Sequence, residues 1–69
     1  SDIINVSLPP DMNKADVVLY DVAGKILNRF STNNQKLIQM DVSSYTNGVY
    51  FLKIFNDDKV YLKKIVVGK

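Results

Sequence analysis

Residues 16–30 read DVVLYDVAGKILNRF. Two apolar-rich runs, 16–22 and 25–30, meet at Asp21-Val22-Ala23-Gly24. Asp at the first position and Gly at the last suit a type I turn whose glycine takes positive φ and forms a bulge. The two runs therefore read as a β-hairpin, with the Asp21 carboxylate accepting from a turn N–H. Alternation places Val18, Tyr20 and Val22 on one face, the face expected to be buried.

The same pattern continues on both sides. Residues 3–8 alternate Ile4, Val6 and Leu8 against Asn5 and Ser7, and Pro9-Pro10-Asp11 ends that run because proline cannot join a central ladder. Residues 36–42 alternate Ile38, Met40 and Val42 with Gln39 and Asp41. Residues 49–55 (VYFLKIF) and 59–67 (KVYLKKIVV) form a second hairpin around Asn56-Asp57-Asp58-Lys59. Ser43-Ser44-Tyr45-Thr46-Asn47-Gly48 is too long for a tight turn. It is expected to cross between sheets, with Tyr45 under the core edge and Gly48 at positive φ. Tyr50, just beyond, is placed either to return its hydroxyl to that loop as a tyrosine corner or to serve as a plain core aromatic. Strands at about 8–12 residue spacing are the interval of a sandwich or barrel.

Composition agrees. The chain has 69 residues, 46% apolar and 23% charged, with net charge +2. All seven acids are Asp, and Val and Ile outweigh the helix formers. This is one small all-β domain, of a size at which stability is marginal. With no Cys and no His, a zinc site, a catalytic thiol and a Ser-His-Asp triad are not expected. No apolar run approaches the ~18 residues of a membrane helix, and the N-terminal stretch lacks the parts of a signal peptide. The charge balance is too even for a nucleic-acid face. Asp57-Asp58 beside Asn56 offers carboxylates to calcium, but the spacing fits no calcium loop and no bidentate Glu exists; the turn reading is preferred. Pairs of Asp could do acid/base work on a glycoside, but every Asp is expected in a turn or on a polar strand face, and 69 residues leave little room for a cleft. No catalytic residue, metal or cofactor is assigned. From Lys53 onward stand Lys53, Lys59, Lys63, Lys64 and Lys69 against Asp57 and Asp58. That basic run is either a solvated, aggregation-resistant edge or a contact surface.

The order of these features resembles the type A C-terminal sorting domain of the type IX secretion system of the Bacteroidetes. The matching residues are Tyr20, Asp21, Gly24 and Lys25; then Asp41, Val42, Ser43, Gly48, Tyr50, Leu52 and Ile54; then Lys63, Lys64, Ile65 and Val66. Coverage is strong from Val18 to Lys69 and weaker over residues 3–8. Two departures are visible: the family's Pro-Asn-Pro segment is absent before the first strand, and Tyr45 stands where the family has Leu.

The resemblance implies a secretion address carried at the C-terminus of a larger precursor with its own export signal. The expected partners are an N-terminal cargo in cis, the type IX components and a sortase-like cell-surface protease. Neither nucleic acid nor membrane insertion is expected, and edge-strand dimerisation stays open. The expected route is the periplasm, then the cell surface or the medium, with surface attachment of the cargo. Lys63, Lys64, Ile65, Val66, Val67, Gly68 and Lys69 are the candidate translocon contacts, through electrostatic steering or strand addition. Tyr20, Asp21, Gly24, Lys25, Asp41, Gly48 and Tyr50 are expected to be structural. The alternative is an immunoglobulin-like structural or carbohydrate-binding accessory module of a secreted enzyme, for which Phe51 and Phe55, sharing a face with Val49 and Lys53, would be the exposed patch. The expected fold is an immunoglobulin-like antiparallel β-sandwich of about seven short strands. Its core is expected to hold Val6, Val18, Tyr20, Val22, Ile38, Met40, Val42, Tyr50, Leu52, Ile54 and Ile65.

Overall fold

The Asp21 turn forms as its residues require. Gly24 has φ +86° and its N–H donates to the Asp21 carbonyl at 3.1 Å, while the Asp21 N–H donates to the Lys25 carbonyl at 3.0 Å. The Asp21 carboxylate accepts from the N–H groups of Ala23 and Lys25, each at 2.9 Å. A computed structural model describes residues 2–12 and 14–68. The described residues form six strands, not about seven: β1 Ile3–Ser7, β2 Lys14–Tyr20, β3 Ile26–Asn33, β4 Leu37–Asp41, β5 Gly48–Phe55 and β6 Val60–Val67.

They make two antiparallel sheets, β3-β2-β5-β6 and β1-β4. Each inner face carries every second residue, as the pleat dictates. Val17 and Leu19 of β2, Tyr50, Leu52 and Ile54 of β5, and Ile65 and Val67 of β6 pack against Val6, Ile38 and Met40 of the smaller sheet. Burying each large aliphatic side chain is worth about 1.5–3 kcal/mol. The smaller sheet is lengthened at both ends by backbone bonds, Leu8 N–H to the Lys36 carbonyl at 2.9 Å and Val42 N–H to the Asp2 carbonyl at 2.8 Å.

Strand β2 corrects the expected register. Val17 and Leu19 face the core, so Val22 is exposed in the turn and Tyr20 is half-buried on the opposite face. A shift of one residue exchanges the two faces of a strand, and the run Val17-Val18-Leu19-Tyr20 is apolar on both. Val18 is buried, but on the outer face, flanked in register by Arg29 of β3 and Lys53 of β5. A bulge opposite Leu19 and Tyr20 sets Leu27 against the core.

Met12 closes one end of the sandwich. Its N–H donates to the Pro9 carbonyl at 2.9 Å, completing a turn that brings the fully buried side chain between the sheets. Its sulfur accepts from the Asn56 amide at 3.1 Å. The Asn56 side chain also orders the β5–β6 turn, accepting from the N–H groups of Asp58 and Lys59. Asn56-Asp57-Asp58-Lys59 is thus a hairpin turn, and Lys59 pairs with Asp11 across to the Met12 loop.

The crossover from β4 to β5 also forms as expected. Gly48 takes φ +152°, Tyr45 is half-buried against the core, and the Tyr50 hydroxyl donates to the Thr46 carbonyl at 2.6 Å. This is the tyrosine-corner arrangement, with the Tyr45 and Tyr50 rings 5.5 Å apart.

Candidate recognition surface

Strand β6 pairs only with β5 among the described residues, so its other edge carries backbone groups outside any ladder. Strand β1 likewise pairs only with β4. The two edges flank a groove of about 420 Å³ lined by Ile4 to Ser7 on one side and Lys63 to Val66 on the other.

Within β6 the candidate contacts divide by the pleat. Ile65 and Val67 are core residues, 7% and 4% exposed, so a docked partner meets their backbone and not their side chains. Lys63 lies opposite Leu52 and shares the inner face with them, yet it is exposed because β6 is an edge. A charge on the inward side of an edge strand hinders the addition of another strand. Lys64 lies opposite Phe51 on the outer face, beside Val66 and Leu62. The neighbouring lysines thus serve two different surfaces. Gly68 is exposed and follows the strand; Lys69 lies outside the described residues.

The residues expected to be structural hold turns and crossings. Asp21 and Gly24 form the β2–β3 turn, and the Lys25 N–H is one of the donors to Asp21. Asp41 accepts from the Ser43 N–H at 2.9 Å to start the crossover; Gly48 and Tyr50 complete it. Tyr20 differs, since it belongs to the outer face opposite Phe51 and Ile26.

That outer face was only partly anticipated. Phe51 and Phe55 do share it with Val49 and Lys53, but Ile26, Val60, Leu62 and Val66 extend it. The signal was present in KVYLKKIVV, where apolar residues fall on both parities. Lys53 stands in the middle of this face, its ammonium 5.0 Å from the centre of the Phe55 ring.

The described residues thus form a small sandwich with an unpaired β6 edge bearing exposed lysines and a second, exposed apolar face. The chain belongs to the secretion system C-terminal sorting domain family, whose model matches residues 1–68. Comparison with curated proteins gives no match. Members of this family are the C-terminal sorting signals of the type IX secretion system, which take a cargo across the outer membrane to the cell surface or the medium. A sorting domain of this kind is not itself a catalyst. It implies interaction with the type IX machinery and an N-terminal cargo in cis.

Proposed function

We propose that residues 1–69 are the sorting domain of a larger secreted precursor and are read in the periplasm, already folded, through β6 and the surface beside it. One observation carries this reading: the last strand of a self-contained sandwich presents a free backbone edge together with exposed Lys63 and Lys64. A rigid surface loses little ordering entropy on binding, which suits a signal attached to different cargoes. The lysines steer the domain toward an acidic partner; Lys63 bars strands that cannot meet its charge, so strand addition along the β6 backbone is reserved for a partner strand with a carboxylate opposite Lys63. After export, a cell-surface protease separates cargo from signal ahead of the domain, and the cargo is attached to the surface. Edge pairing between two copies would use the same β6 backbone and so would compete with recognition.

The test is a transplant. The segment is fused to the C-terminus of a fluorescent protein bearing an export signal and expressed in a type IX-competent bacterium and in the same strain without its translocon. Translocon-dependent fluorescence at the surface or in the medium is the expected result. Fluorescence held in the periplasm of both strains, with the fusion folded and intact, would refute the reading.

A further inference from the structure

The outer face of the four-stranded sheet has no second layer over it among the described residues. Ile26, Phe51, Val60, Leu62 and Val66 are between 41% and 71% exposed there. Their strands lie side by side, with cross-strand neighbours Tyr20, Phe51 and Lys64 in one row and Val18, Lys53 and Leu62 in the next. Contiguous apolar surface of this kind marks an interaction site more often than chance. We propose that this face, and not the β6 edge alone, is the docking surface for a protein of the secretion machinery whose matching surface is apolar with carboxylates at its centre. The proposal rests on the sorting reading above and names the partner chemistry of that surface.

Charge selects the occupant. Lys53 and Lys64 lie among the exposed apolar residues with Arg29 beside them, whereas Asp16 lies one row further on, opposite Ser31 and Phe55, and accepts a hydrogen bond from the Ser31 hydroxyl at 2.8 Å. A second copy of the chain would set this cationic face against itself, and like charges placed opposite one another are costly. A lipid surface takes apolar side chains several ångströms below the headgroups. A lipid-binding face carries its cations at the polar margin, level with the headgroups, whereas Lys53 stands at the centre of this face with its ammonium 5.0 Å from the centre of the Phe55 ring. A protein can place a carboxylate opposite Lys53 and leave the surrounding rings in apolar contact.

The test uses the same fluorescent fusion with Lys53→Glu/Lys64→Glu, the conservative Lys53→Arg/Lys64→Arg, and Lys36→Glu/Lys59→Glu as a charge-matched change on other surfaces. Facing carboxylates with carboxylates should lower exported cargo on the order of tenfold or more. The Arg pair and the Lys36/Lys59 variant should export like the parent. Thermal unfolding of the purified fusions should place the three variants within a few degrees of the parent, separating docking from folding. A photo-crosslinker at position 62 should join the domain to a type IX component in the parent and not in the Lys53→Glu/Lys64→Glu variant.

Parent-level export by the Lys53→Glu/Lys64→Glu variant would overturn the proposal, and with it the steering assigned to Lys64, while leaving the sorting role of the domain intact. Failure of the parent itself to be exported would overturn both. Equal loss in the Lys36→Glu/Lys59→Glu variant would reduce the effect to net charge and overturn the proposal. Binding of the parent to phosphatidylglycerol vesicles, lost in the Lys53→Glu/Lys64→Glu variant, would assign the face to lipid. A parent dimer in sedimentation that Phe51→Ser dissolves would assign it to self-association. Either result also overturns the proposal.

Discussion

The two faces of the four-stranded sheet have nearly the same apolar character along β5 and opposite environments. Leu52 and Ile54 are fully buried between the sheets, whereas Phe51, on the other side of the same pleat, is 41% exposed. In β6 the contrast is sharper: Ile65 and Val67 are buried, while Val60, Leu62 and Val66 are more than half exposed. Hydrophobicity therefore does not by itself tell which side of this sheet is core. The inner face is used for stability. The outer face bears apolar area that contributes little to folding, which is the expected state of a surface that is covered only in a complex.

The comparison is tested most strongly at Leu52. Truncation to Ala in the closed core should cost about 2–5 kcal/mol. Stability of about 0.05–0.15 kcal/mol per residue is typical, about 3–10 kcal/mol for a 69-residue domain, so such a loss should remove a large share of its stability. Urea denaturation followed by circular dichroism measures this. A loss below 1 kcal/mol would mean that the two sheets are not tightly closed on each other.

The turns that set the faces come next. Gly24→Ala meets no atom within 4 Å of the added Cβ, so its cost is that of φ +86° alone, about 1–2 kcal/mol for a residue with a Cβ in the left-handed region. Tyr50→Phe removes the bond to the Thr46 carbonyl and should cost about 1 kcal/mol. Both are read from the same urea transitions. Gly24→Ala should also raise hydrogen exchange at Ala23 and Lys25, whose N–H groups bond to the Asp21 carboxylate.

These turns were also the most legible part of the sequence. Asp21-Val22-Ala23-Gly24, the Asn56 turn and the Gly48-Val49-Tyr50 corner each carry a residue type that one backbone conformation demands, so local chemistry was enough to place all six strands. The face of β2 was not legible from alternation, because Val17, Val18, Leu19 and Tyr20 satisfy either parity. What decides it is the pairing: Val17 and Leu19 stand opposite Ile54 and Leu52, the buried residues of β5, and Val22 falls in the exposed turn. Met12 was missed for a different reason. Its burial depends on the Pro9 turn bringing a loop side chain between two sheets, a tertiary outcome with no periodic signal. The β6 lysines were found as a cluster, but their division between an edge and a face follows from the pairing of Lys63 with Leu52 and Lys64 with Phe51.

That division gives a smaller, sharper prediction. Lys63→Val places an apolar side chain on the inward side of the free β6 edge and removes its guarding charge. The monomer's stability should change by no more than about 0.5 kcal/mol, while light scattering at high protein concentration should show association that the parent lacks. Lys64→Val, one residue on, should leave the edge guarded and scatter less. Equal association by both variants would mean that the outer face, and not the edge, is the self-association risk.

The smallest expected effect on folding is at Leu62, 71% exposed on the outer face. Leu62→Ser removes apolar surface that the folded monomer does not bury, so its urea midpoint should shift by less than the equivalent of about 0.5 kcal/mol. Export of the fluorescent fusion should nevertheless fall, because a truncated anchor in a docking patch weakens binding without touching the fold. Leu52→Ala and Leu62→Ser then lower export by different routes, one through a weakened fold and the other with the melt unchanged. A destabilisation by Leu62→Ser approaching that of Leu52→Ala would erase the difference between the two faces and make the outer one part of the structural core.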